Sequence, residues 1–167
     1  MKLMKNFIIL MALWGCAMCL EPASARAVTK VPDFSLSQVG GGGSKDIDIK
    51  DYRGKVVLVV FWATWCQPCM HEVPSLISLQ KEFGPQGFSV IGLSVDQGGD
   101  SAVSRVIHKE GINYPVALAT SKVSNEFGGI FGIPTAFMVD RDGNVVKRYN
   151  GWTSHDVIVS DLQRVLK

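Results

Sequence analysis

Residues 55–74 read KVVLVVFWATWCQPCMHEVP. Lys55 to Ala63 is apolar after its leading lysine and rich in β-branched side chains, the composition of a central strand covered on both faces. Thr64-Trp65-Cys66-Gln67-Pro68-Cys69 follows at once. Beyond it Cys69, Val73, Leu76 and Phe83 recur at steps of four, three and seven, a helical stripe. Gly84-Pro85 ends the predicted helix. Pro74 inside it predicts a kink, because its ring crowds the preceding turn and it carries no N–H. The C-x-x-C pair therefore falls where a buried strand turns into a helix.

That location has an electrostatic consequence. The first N–H groups of a helix lack intrahelical partners, carry partial positive charge and favour an anion. Thiolates are the nucleophilic form of cysteine, and helix N-termini or C-x-x-C settings bring thiol pKa values to roughly 3.5–7.5. Position then sorts the roles. Cys66, at an exposed tip, is expected to attack; Cys69, within one turn and further in, is expected to resolve the mixed disulfide. Pro68 suits the first turn, where its missing N–H would be unpaired anyway. A structural zinc site would need four ligands, and His71, His108 and His155 are scattered along the chain. A purely structural bridge would close too small a loop to remove much unfolded-chain entropy. Redox exchange is the leading reading, with no metal and no other cofactor expected. His108 and His155 read as surface histidines.

Outward from this segment the pattern alternates. Residues 88–95 read as a second buried strand, 100–110 as a helix with Gly111 as its C-cap, 114–118 as a short strand and 121–127 as a short helix. Residues 135–139 and 145–149 are strands joined across Asp142-Gly143, a hairpin signal, and 153–166 is a closing helix. Upstream, residues 33–37 and 46–49 alternate around Gly40 to Gly43 and predict an N-terminal β-hairpin. The sum is one α/β domain, a mixed central sheet with helices on both faces.

Before that domain, Lys2 and Lys5 precede an apolar run at 7–20, followed by Ala23-Ser24-Ala25 and Ala25-Arg26-Ala27, both A-x-A patterns. The run is short of the ~20 residues of a spanning helix, so 1–25 reads as a signal peptide, with an uncleaved anchor as the open alternative. Leu13-Trp14-Gly15-Cys16 faintly resembles a lipidation box, against which the bulk of Trp14 speaks. Residues 26–32 read as a linker and 33–167 as the domain. Loss of 1–25 removes Cys16 and Cys19 and leaves fifteen basic against fourteen acidic residues. Any intramolecular disulfide in the exported domain must then join Cys66 and Cys69, and an exported chain with one close pair points to redox work more than to stapling. The full 167 residues suit one domain. A hydrophobic content of 47% excludes wholesale disorder. A net charge of +2 gives no field that argues for nucleic acid or an anionic membrane.

The string Val59-Val60-Phe61-Trp62-Ala63-Thr64-Trp65-Cys66-Gln67-Pro68-Cys69-Met70-His71-Glu72-Val73-Pro74 resembles the active-site segment of exported thioredoxin-like proteins of the TlpA/ResA family. Gly132-Ile133-Pro134-Thr135, followed by a strand, is similar to the cis-proline loop of the thioredoxin fold. The similarity runs from about residue 31 to the C-terminus and includes residues 98–118, a central αβ insertion that thioredoxin itself lacks. It implies a thioredoxin-like fold and a redox-active Cys66–Cys69 pair. It also implies a Glu72 that tunes the cysteines and moves protons, since a carboxylate beside a developing thiolate raises the thiol pKa. Pro134 is expected to present extended backbone beside Cys66 to a substrate strand. Trp65, Gln67, Pro68 and Ile133 complete the expected substrate-binding surface, with simple packing as the alternative for Trp65. Trp62 reads as core. Met70 and His71 stand where the family often carries basic residues.

The activity so implied is an extracytoplasmic thiol–disulfide oxidoreductase. It would act as a reductant recharged by a membrane thiol electron donor. Its client would carry paired cysteines, as apocytochrome c does before haem attachment or a metal-site protein does during oxidase assembly. Two other classes of function compete with it. A thiol peroxidase of the peroxiredoxin type expects Thr three residues before its cysteine, where this chain has Ala63, with Thr64 one place later. A copper chaperone would use thiolates and a distant histidine.

Overall fold

The computed structural model describes residues 28–40 and 46–167; the leader at 1–25 and Gly41 to Gly43 lie outside the described residues. β1 (Ser35–Ser37) and β2 (Asp46–Asp48) pair antiparallel, with Leu36 opposite Ile47, as the alternating pattern predicts. The main sheet has five strands in the order β5-β4-β3-β6-β7. β3 (Val56–Trp62) lies at its centre and is buried at every residue. It pairs parallel with β4 (Phe88–Ser94), which pairs parallel with β5 (Val116–Leu118). On its other side β3 pairs antiparallel with β6 (Thr135–Val139), and β6 antiparallel with β7 (Val145–Asn150). The sheet is mixed.

Strand alternation divides the core in two. Val56, Leu58, Val60 and Trp62 face a layer built by α1 (Gln67–Phe83), α2 (Asp100–Glu110) and α4 (His155–Leu166), which contribute Leu76, Leu79, Val103, Ile158 and Leu162. Val57, Val59 and Phe61 face the opposite layer, where α3 (Ser121–Glu126) and the N-terminal hairpin supply Val123, Phe34 and Ile47. Phe127, just after α3, centres this second layer. Its ring lies 5.1 Å from Phe61, 4.9 Å from Phe137 and 6.2 Å from Phe34.

The local punctuation follows the residues. Gly111 ends α2 at φ +67°, a left-handed conformation that suits glycine. The β6–β7 connection spans residues 141–143, one residue longer than a bare Asp-Gly turn, with Gly143 at φ +81°. The Asp140 carboxylate holds it, accepting from the Asp142 and Asn144 N–H groups at 3.0 and 2.7 Å and from the Asn144 side chain at 2.8 Å. Pro74 lies inside α1, and the helix continues through it to Phe83.

Phe127→Ala would remove the ring shared by the three other aromatics. A cavity of that kind costs about 3–5 kcal/mol, read as a fall in the urea midpoint at unchanged slope.

Candidate active site

β3 delivers its last residues straight into α1. Trp62 closes the strand, its carbonyl accepting from the Val95 N–H at 2.8 Å. A tight turn over residues 63–66 follows, closed by the Cys66 N–H donating to the Ala63 carbonyl at 3.1 Å. Cys66 is then the N-cap of α1. Its Sγ accepts from the Cys69 N–H at 3.3 Å, satisfying one of the orphan donors of the first turn. Pro68 occupies the first turn, and Cys66 and Cys69 are joined by a disulfide with Cα atoms 5.3 Å apart.

The structure overturns the expected exposure of the attacking cysteine. Cys66 is not an exposed tip: it is 5% exposed and Cys69 is 2% exposed. The N-cap geometry turns the Cys66 sulfur inward, toward the Cys69 N–H and the Cys69 sulfur, and both residues belong to the same core layer as Trp62 and Ala63. The exposed residues around them are Trp65, 70% exposed, and Gln67 and Pro68. The disulfide is therefore recessed below its neighbours.

Glu72, one turn beyond Cys69, is buried, only 3% exposed. Loss of hydration pushes its carboxyl up to about 7, opposed by the Thr153 backbone N–H. Sequence spacing placed Glu72 on the face of Cys69 but gave no sign of this burial, or of the Thr153 backbone N–H that reaches it from the segment between β7 and α4. Beside Glu72, burial and the Glu72 charge hold the Tyr114 phenol well above its usual range. Gly92 makes room there: a Cβ on it would come within 3.1 Å of Trp62 Nε1 and 3.3 Å of Tyr114. Among the described residues the Trp62 indole N–H is buried with no partner. His155, expected as a plain surface histidine, is half-buried, with Nδ1 2.8 Å from Ser75 Oγ on α1.

The Ile133–Pro134 peptide bond is cis, and Pro134 is buried at the start of β6. Its carbonyl accepts from the Gly151 N–H at 2.8 Å. Trp65 and Ile133 line one open groove of about 570 Å³ together with Asp96 and Phe131, the last 92% exposed. Gln67, Pro68 and His71 line a separate hollow of about 460 Å³ with exposed Trp152. The expected surface residues thus line two separate hollows, Trp65 with Ile133 and Gln67 with Pro68. Phe131 and Trp152 were missed because an isolated aromatic in a loop carries no periodicity to mark it.

The sequence profile of the Redoxin family matches residues 26–166. The thiol-disulfide oxidoreductase ResA of Bacillus anthracis is 31% identical over 136 residues, 81% of this chain and 76% of that protein. ResA of Bacillus subtilis (strain 168) is 32% identical over 81% of this chain and 73% of its own length. A crystal structure of a thiol:disulfide interchange protein, a thioredoxin family protein from Chlorobium tepidum TLS, superposes with a TM-score of 0.76. It is 34% identical, covering 83% of this chain and 97% of that one.

The burial of Glu72 predicts a pH signature. Unfolded, a glutamate releases its proton near 4.5; folded, this one keeps it to about 7. Its contribution to stability is complete below the unfolded value and is lost as pH rises through the folded one, at no more than ~1.4 kcal/mol per pH unit. Urea unfolding between pH 4 and 8 should show this decline in the wild-type protein and a flatter profile in Glu72→Gln. Equal slopes in the two would place the Glu72 carboxyl in water.

Proposed function

The chain belongs to the Redoxin family as a ResA/TlpA-like thiol–disulfide oxidoreductase, and from that premise we propose that it reduces protein disulfides outside the cytoplasm through Cys66-Gln67-Pro68-Cys69. The observation that carries this reading is the bonded cysteine pair at the N-terminus of α1, with the Cys66 sulfur as the N-cap. In the dithiol form the same N–H groups favour negative charge on Cys66 over negative charge on Cys69.

The exchange balances as follows. The Cys66 thiolate attacks one sulfur of the client disulfide, forming a mixed disulfide and releasing the other client sulfur as a thiolate. Cys69 loses its proton and attacks the Cys66 sulfur, which frees the second client thiolate and closes the Cys66–Cys69 bond. Two electrons pass to the client. Glu72 is the acceptor for the Cys69 proton: it lies one turn away, and a carboxyl near 7 takes up and returns a proton at neutral pH. A membrane thiol donor would restore the dithiol.

Since Gly151 occupies the Pro134 carbonyl, the backbone offered to an extended client strand is that of Ile133, beside Trp65. Gln67 and Pro68 meet the client from the other hollow. Residues 1–25, with Lys2, Lys5, the apolar run and the A-x-A sites, support export or an N-terminal anchor. The family resemblance supports a client with paired cysteines, apocytochrome c or a metal-site protein of oxidase assembly.

Cys66→Ser should abolish insulin reduction, and retained turnover would falsify its role as nucleophile. Cys69→Ser should hold the client as a mixed disulfide that can be isolated and identified; trapped proteins without paired cysteines would remove the proposed client class. Glu72→Gln should lower the pH midpoint for alkylation of at least one reduced cysteine, because it deletes a neighbouring negative charge. An unchanged curve would exclude Glu72 from the proton transfer.

A further inference from the structure

The turn that carries Trp65 and delivers Cys66 is held from outside by a single carboxylate. Asp96 lies two residues past the end of β4 and lines the same groove as Trp65 and Ile133. Its Oδ2 accepts from the Thr64 N–H at 2.8 Å, and its Oδ1 accepts from Thr64 Oγ1 at 2.6 Å. Oδ2 also accepts from Ser94 Oγ at 2.7 Å, and the Asp96 N–H donates back to Ser94 Oγ at 3.1 Å. Ser94 is fully buried in β4. The anchor is thus tied to the sheet, and both donors of Thr64 are tied to the anchor.

The geometry points to Asp96 and Thr64 as positioning residues for the attacking sulfur: the carboxylate pins the turn over residues 63–66 so that Cys66 arrives as the N-cap of α1. The inference deepens the function proposed above and rests on Cys66 being the nucleophile.

A carboxylate suits this task and a neutral side chain does not. Three donors converge on its two oxygens, and an amide would offer one oxygen and present two N–H donors in place of the other. The turn itself uses only the Ala63 carbonyl and the Cys66 N–H, so without Asp96 the Thr64 N–H loses its partner. Through space, a carboxylate in this position works against a thiolate. Charge and geometry therefore act on Cys66 with opposite signs, which lets an experiment separate them.

The experiment uses the full chain, reduced, in three variants. Asp96→Asn removes the charge and one acceptor. Thr64→Val removes the hydroxyl donor without altering any charge. Thr64→Ser keeps the donor. Glu72, the buried titratable group on α1, is intact in all three. Loosening the turn should move the pH midpoint for Cys66 alkylation upward in Asp96→Asn and Thr64→Val and slow insulin reduction about tenfold, while Thr64→Ser restores both. A downward midpoint in Asp96→Asn would mean that charge, not position, is what Asp96 supplies. A Thr64→Val protein that matches wild type, or a Thr64→Ser protein that matches Thr64→Val, overturns the proposal as well. Should Asp96→Asn fail to fold, judged by circular dichroism, the Thr64 pair decides alone. A wild-type protein inert toward insulin would sink the reductase reading, whereas the alkylation comparison needs only a Cys66 thiol.

Discussion

β3 lies between two bonded neighbours and is buried along its whole length, so its backbone can leave the sheet only at its ends. At the C-terminal end it leaves through one tight turn into α1, and the position of the cysteine pair depends on that junction. A strand fixed on both sides cannot slip register without turning its core residues to the wrong layer. The helix cannot shift without withdrawing Leu76, Leu79 and Phe83 from the core. Between two immobile elements the N-cap position is determined, and Cys66 occupies it.

The chemistry of the pair then rests on opposing terms. The helix terminus favours a thiolate at Cys66, whereas burial of both cysteines disfavours charge on either. Glu72 adds a third term that changes with pH, a carboxyl neutral in acid and charged above about 7. It lies on α1 itself, one turn past Cys69, which is why the proposed mechanism gives it the Cys69 proton. The strand–helix junction sets which sulfur is nearer the helix terminus.

Around the recessed disulfide the surface is assembled from the ends of several elements. Trp65 comes from the β3–α1 turn, Asp96 from the end of β4, Phe131 and Ile133 from the segment before β6, and Trp152 from the segment before α4. None of these is close in sequence to more than one other, yet each lies within a few residues of the end or the start of a strand. Loops carried on a rigid sheet can present reactive and binding groups while the core stays packed. The exposed rings of Trp65, Phe131 and Trp152 contrast with the nearly inaccessible sulfurs of Cys66 and Cys69.

How much of this the residues declared follows from the range of the interactions. The apolar β-branched run at 56–62, the stripe of Val73, Leu76 and Phe83, and Gly111 at a helix end are written in local periodicity and backbone preference, and they fixed the α/β architecture without reference to distant parts of the chain. The helix start at the cysteine pair is equally local, since it needs only a strand, a short turn and Pro68. Burial of Glu72, the partner of His155 and the hold of Asp96 on Thr64 join positions 32 to 81 residues apart; only packing against the sheet brings them together. The inward turn of the Cys66 sulfur belongs with them: spacing sets its order relative to Cys69, but exposure is a property of everything folded around it.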